Sequence, residues 1–269
     1  MKKTNERKHF VIEQLGGHKY YYSKGLCFVK PFEKDSTSRK INELAFKKIE
    51  KTIPFNRNWR YLYIMSPEHG DVIKDIDDYE NEFDFSTYGA VKLARPKGEK
   101  CDAIITEYDF PIGIFPADCE CVALIDEKKG IKSLAHSGWR GTLLEIVPKT
   151  IREMVRRGSK VSDILVIMGP SISKENFEIG EDVIGDFREY LRKKEISEEY
   201  LINYDSGIQK YHVDVNGIII KQLFETGINI NNIIFNEYDT FSSIDEEGKY
   251  NFNSYRREKD DKRNVCILV

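Results

Sequence analysis

Apolar positions along the chain fall into two periods. Short runs rich in β-branched and aromatic residues predict strands at Tyr20–Tyr22, Trp59–Met65, Ala103–Thr106, Ile112–Phe115, Val122–Ile125, Ile131–His136 and Ile164–Met168. Helical spacing marks Ile41, Leu44, Ala45 and Ile49, and again Ile146, Thr150 and Met154, with Gly158 as a stop. It recurs at Val183, Phe187, Tyr190 and Leu191, and over Val213–Thr226, where Gly227 closes the helix. Helices and strands interleave, but many strands come as adjacent pairs. This order predicts a mixed α/β architecture, with a mixed β-sheet core flanked by helices as a layered α/β sandwich. No repeat, linker or low-complexity run divides the sequence, so residues 1–269 read as one domain.

The most informative segment is Phe115–Thr142. Two apolar strand-like runs flank the polar loop Asp126–Gly130, which reads as a hairpin. With the turn centred on Lys128, Cys119 falls opposite Ser137, one residue from His136. Opposed residues have Cβ atoms about 4.5–5.5 Å apart, so a thiol and an imidazole are expected at the same end of the hairpin. Cys121 shares the strand face of Cys119 and is expected to pack in the core. The chain then turns through Ser137-Gly138-Trp139-Arg140-Gly141, with Thr142 as the expected N-cap of a helix. The free amides of a helix start at Gly141 and Thr142 suit an anion, and Arg140 adds a fork matched to phosphate. Pro148 either kinks that helix or marks its true first turn. His69, in the polar turn Pro67-Glu68-His69-Gly70-Asp71, follows a strand and suits a ligand carried on a loop.

Composition narrows the field. Lys plus Arg number 42 against 45 Asp plus Glu, a net charge of −3, so there is no basic field to attract nucleic acid. Aromatic residues at 12% fill a real core and exclude a disordered chain. The most apolar stretch, Ile112 to Ile125, is broken by Pro116, Asp118 and Glu120, so no membrane span is expected. Met1–His9 leads into no apolar signal core. The five cysteines, an odd number, read as reduced thiols of a cytoplasmic protein, at least one of them a ligand or reactive group.

Together these residues resemble the laccase-domain (polyphenol-oxidase-type) family, whose members are regarded as multifunctional purine nucleoside phosphorylases. The likeness rests on His69-Gly70, Asp102-Ala103-Ile104-Ile105-Thr106, Ala117-Asp118-Cys119 and the specific run Ala135-His136-Ser137-Gly138-Trp139-Arg140-Gly141-Thr142. Gly169-Pro170-Ser171-Ile172, Phe177-Glu178-Ile179-Gly180 and Ser254-Tyr255-Arg256-Arg257 extend it toward the C-terminus. The resemblance implies that His69, Cys119 and His136 bind one metal, zinc, with copper as the alternative. Two imidazoles and a thiolate with one open position is also the ligand count of a catalytic zinc.

It further implies a nucleoside and phosphate as the partners. The expected chemistry is phosphorolysis of inosine- or adenosine-type substrates, with adenosine deamination as a second activity. Cys119, His136 and Asp118 are then the catalytic group, with Glu68 as the other proton shuttle. Arg140, Gly141, Thr142 and Arg256 would bind substrate or phosphate. The sequence departs from the family pattern at Pro67, at Asp239-Thr240 and across Tyr22–Asn42. Three rival readings are a Cys–His hydrolase with Cys119 as nucleophile, a copper-dependent phenol oxidase, and a metal-binding relative without turnover.

Overall fold

The computed structural model describes residues 5–7, 9–33, 35–53, 61–77, 83–98 and 100–269. Trp59 and Arg60, the start of one expected strand, lie outside them. A six-stranded sheet runs in spatial order Ile233–Ile234, Leu165–Met168, Glu120–Asp126, Ile131–Ser137, Ala103–Thr106 and Ile73–Asp75. Its centre is antiparallel and its outermost pairs are parallel. An eight-stranded sheet stacks on it, ordered Asn5–Arg7, Phe10–Leu15, His18–Ser23, Cys266–Leu268, Ile112–Ile114, Leu62–Ile64, Val91–Pro96 and Phe83–Tyr88. The expected mixed sheet is therefore two stacked sheets, with strand Cys266–Leu268 inside the second, between His18–Ser23 and Ile112–Ile114.

Strand alternation explains the layers. Val122, Leu124 and Ala135 face one way, onto Ile146, Ile151, Phe187 and Ile219 of the helices Ile146–Arg156, Glu181–Lys193 and Val215–Glu225. Cys121, Ala123, Ile125 and Leu134 face the other way, onto Tyr20, Tyr22, Ile112, Ile114 and Cys266 of the second sheet. That sheet's far face, with Tyr21, Leu62, Ile64 and Ile267, is covered by Ala45, Phe46 and Ile49 of helix Ser36–Thr52. The order is helix, sheet, sheet, helix. Because the central strands are buried on both faces, every residue of Glu120–Asp126 and Ile131–Ser137 is buried.

Helix ends follow local chemistry. Asp35 and Asp214 accept hydrogen bonds from first-turn amides. Gly158 and Gly227 sit at φ +102° and +91° just past helix ends. There the amides of Gly158 and Ser159 donate to Val155 and Met154, and those of Gly227 and Ile228 to Phe224 and Leu223.

The segment after the hairpin corrects one expectation and decides between two others. Gly138, not Thr142, is the N-cap of a short helix, Trp139–Leu143, and Thr142 lies inside it. Pro148 then falls in the first turn of Ile146–Arg156, where its missing amide costs nothing.

Candidate metal centre

Two loops and a strand end meet where the chain passes between the sheets. His69 follows strand Leu62–Ile64 of the eight-stranded sheet. Cys119 ends the crossing from Ile112–Ile114 to Glu120–Asp126, and His136 lies at the end of the partner strand. Their ligand atoms all lie within 4.8 Å of one another, and theirs is the single such group found among the described residues. The two imidazole rings stand 5.1 Å apart at 73°.

The register differs from the expected one by a residue: Glu120, not Cys119, pairs with Ser137, and Cys121 lies opposite His136. Cys119 lies beyond the strand end, and Asp118, at φ +78°, redirects the backbone to bring its sulfur back to the imidazole. Cys121 is fully buried between the sheets, as expected. Gly138 packs under the whole cluster. A Cβ there would lie 3.0 Å from Cys119 Sγ, 3.0 Å from His69 Cδ2 and 3.6 Å from His136 Cε1.

The electrostatics suit a metal. Burial opposes ionisation of Cys119, but the imidazoles of His136 and His69 outweigh it and bring the thiol down to about 6. Burial likewise opposes charge on His136, yet the Cys119 thiolate and the Asp102 carboxylate raise it to about 9. Asp102, to which the sequence reading gave no role, accepts from His136 Nδ1 at 2.9 Å. Its one sequence signal was its place at the head of the Ala103–Thr106 strand motif. Two imidazole nitrogens and a readily ionised thiol fit a zinc-type divalent ion, with the cleft side left for substrate.

That cleft has a volume of about 860 Å³, within the usual range for small-molecule sites. His69, Cys119 and His136 line it together with Asp118, Trp139, Arg140, Phe177 and Arg256. Lys30, Arg95, Lys259 and Arg263 add positive charge, and Phe32, Phe115 and Tyr255 add aromatic surface. Arg140 is exposed, stacks 4.1 Å over the Trp139 ring, and has no carboxylate partner among the described residues. Arg256 is held by Glu178 at 2.9 Å and lies over Phe177.

The other expected site residues sit differently. Asp118 reaches the cleft, but Thr240 Oγ1, Ser254 Oγ and the Arg256 amide already donate to its two oxygens. Gly141 and Thr142 are buried behind the cleft wall. The Thr142 amide donates to Gly138 O, and its hydroxyl bonds Ser137 Oγ at 2.8 Å. Glu68 is exposed and pairs with Lys100 at 3.6 Å, outside the cleft lining. Pro67 lines the cleft, while Asp239 joins two loops by accepting from Ser173 N, Phe241 N and Ser242 Oγ.

Residues 43–267 match the family described as multi-copper polyphenol oxidoreductase laccase. The chain belongs to this family. A purine nucleoside phosphorylase of Clostridium acetobutylicum is 32% identical to this laccase-type chain over 224 residues, covering 80% of it and 86% of that protein. An adenosine deaminase of an unknown prokaryotic organism is 31% identical over 141 residues; that match spans about half of each protein, 52% of both. Among solved structures, the Bacillus licheniformis protein YfiH superposes with a TM-score of 0.75 at 17% identity, covering 98% of this chain and 97% of that one. The overall fold of the chain is thus shared with that structure. No helix among the described residues is long and apolar enough to cross a membrane.

Proposed function

We propose that this protein is a zinc-dependent enzyme of purine nucleosides that cleaves the glycosidic bond with phosphate and also deaminates adenosine. It acts as a single domain in the cytoplasm, where its five cysteines stay reduced. The observation that carries the reading is the convergence of His69, Cys119 and His136 on one point of a cleft walled by cations and aromatic rings. Relatives named purine nucleoside phosphorylase and adenosine deaminase support the substrate class.

In phosphorolysis a phosphate oxygen bonds C1′ as the bond from C1′ to the purine nitrogen breaks, and the base leaves with the electron pair and takes up a proton. His69, Cys119 and His136 would hold the zinc ion, which would supply Lewis acidity toward the departing base or a water molecule. Arg140, which has no carboxylate partner among the described residues, and Arg256 hold the phosphate and screen its charge. Trp139 and Phe177 give flat apolar surface for the base. Asp118 orients Arg256 through its backbone amide, and buried Thr142 stiffens the short helix carrying Arg140.

The test is release of hypoxanthine from inosine and loss of ammonia from adenosine, each with and without phosphate and chelator. Phosphate-dependent, chelator-sensitive hypoxanthine release is expected. Folded, zinc-loaded protein that releases none overturns the reading.

One observation favours a second reading. Asp102, His136 and Cys119 stand in line as a carboxylate–imidazole–thiol series, the arrangement of a Cys–His hydrolase. That reading predicts full activity in chelator and inactivation by iodoacetamide without metal.

A further inference from the structure

Asp102 touches both histidines of the cluster at once. It is fully buried at the head of strand Ala103–Thr106. Its Oδ1 accepts from His136 Nδ1 at 2.9 Å and from the His69 amide at 3.0 Å. Its Oδ2 accepts from the Gly70 amide at 2.8 Å and the Glu68 amide at 3.4 Å. Among the described residues no Lys or Arg pairs with this carboxylate, so the four donors are what make its burial tolerable.

We propose that Asp102 is the positioning residue of the metal centre, one carboxylate fixing both histidine ligands. By accepting the hydrogen bond from His136 Nδ1–H it keeps the proton on Nδ1 and leaves Nε2 as the lone-pair nitrogen turned toward Cys119. By binding three successive amides it holds the 68–70 loop in the turn where His69 adopts φ +65°, a conformation a non-glycine residue does not keep without support. Movement of Asp102 therefore displaces both imidazoles together. The inference rests on the metal reading above, but it concerns binding and not turnover.

The chemistry demands a carboxylate. All four partners on Asp102 are donors or act as donors, and only a group that accepts through both oxygens satisfies them. Asparagine is isosteric and fails on one side or the other. With its oxygen toward His136, its NH₂ opposes the Gly70 and Glu68 amides. With its oxygen toward those amides, its NH₂ faces His136 and selects the tautomer protonated on Nε2, which has no lone pair for an ion.

The experiment is zinc competition titration against a chromophoric chelator on wild type and Asp102→Asn, with the thermal midpoint of each metal-free protein read separately. Zinc affinity is expected to fall 10–100-fold in the folded variant, the size found when an outer-sphere carboxylate is lost. Affinity within two-fold of wild type would overturn the proposal and leave the metal reading intact. A wild type that binds no zinc overturns both. Nitrogen-15 NMR of zinc-loaded wild type decides the matter even where the variant does not fold. His136 with a protonated Nδ1 and zinc on Nε2 is expected, and zinc on Nδ1 contradicts the proposal.

Discussion

Gly138 has ordinary helical-entry backbone angles, φ −67° and ψ 166°, so alanine fits its conformation, but the space above it is filled by the side chains of Cys119, His69 and His136. Gly138→Ala should leave folding nearly unchanged while weakening zinc binding by at least about 10-fold. Gly185 makes a matched control, because a Cβ there meets nothing within 4 Å inside helix Glu181–Lys193. Gly185→Ala should raise stability by about 0.5–1 kcal/mol and leave zinc binding alone. Calorimetry and zinc titration on both proteins check this, and equal zinc affinity in wild type and Gly138→Ala would refute it. The ligands also set a pH dependence. With Cys119 near 6 and His136 near 9, the metal-free pair is thiolate and imidazolium between those values. Zinc must displace the His136 proton there, so affinity should rise about ten-fold per pH unit from 6 to 9 and level off above. A pH-independent affinity across that window would show that His136 is not a ligand. The sequence already pointed to these three side chains. It did not point to Asp102, whose partners are contributed by segments more than thirty positions away and carry no local pattern.

Among the elements, the hairpin carries most of the site. Its position and both strands were legible from alternation and the Asp126–Gly130 loop, and strand Ala103–Thr106 was read to the residue. The register was not, because the true turn lies between Lys128 and Lys129, and a one-residue slip leaves the apolar pattern of strands buried on both faces unchanged. The same burial hid the two-sheet stacking: strands apolar on every side do not declare which neighbour they face. Contact between the sheets is close at Gly169, where a Cβ would lie 2.0 Å from the hydroxyl of Tyr20, itself bonded to Cys121 O. Gly169→Ala should destabilise the protein by about 1–3 kcal/mol, because neither backbone nor buried ring can withdraw. Urea unfolding measures it, and a change below ~0.5 kcal/mol would place the variant with ordinary surface substitutions and contradict this packing.

At the scale of the whole molecule, the four layers bury a titratable group beside the site and so tie global stability to pH. Glu120 is 2% exposed and accepts from Gly169 N and Ser171 Oγ. Burial outweighs those bonds and raises its carboxyl from 4.5 to about 8. The native state thus holds a proton that the unfolded chain has released, so this group's contribution to stability falls as pH rises from about 4.5 to 8. Glu120→Gln should flatten the decline in metal-free protein, and urea titrations at pH 5 and pH 8 that give the same wild-type-to-variant difference would contradict the assignment. The same architecture brings His69 from the eight-stranded sheet's loop to Cys119 and His136 at the end of the hairpin, so the centre exists only in the assembled fold. The most direct test is elemental analysis of the purified chain and of its His69→Ala, Cys119→Ala and His136→Ala variants, each shown to be folded. One zinc per wild-type chain and little or none in each variant is the expected result. A wild type without zinc, or variants that retain it in full, would contradict a centre built from these three side chains.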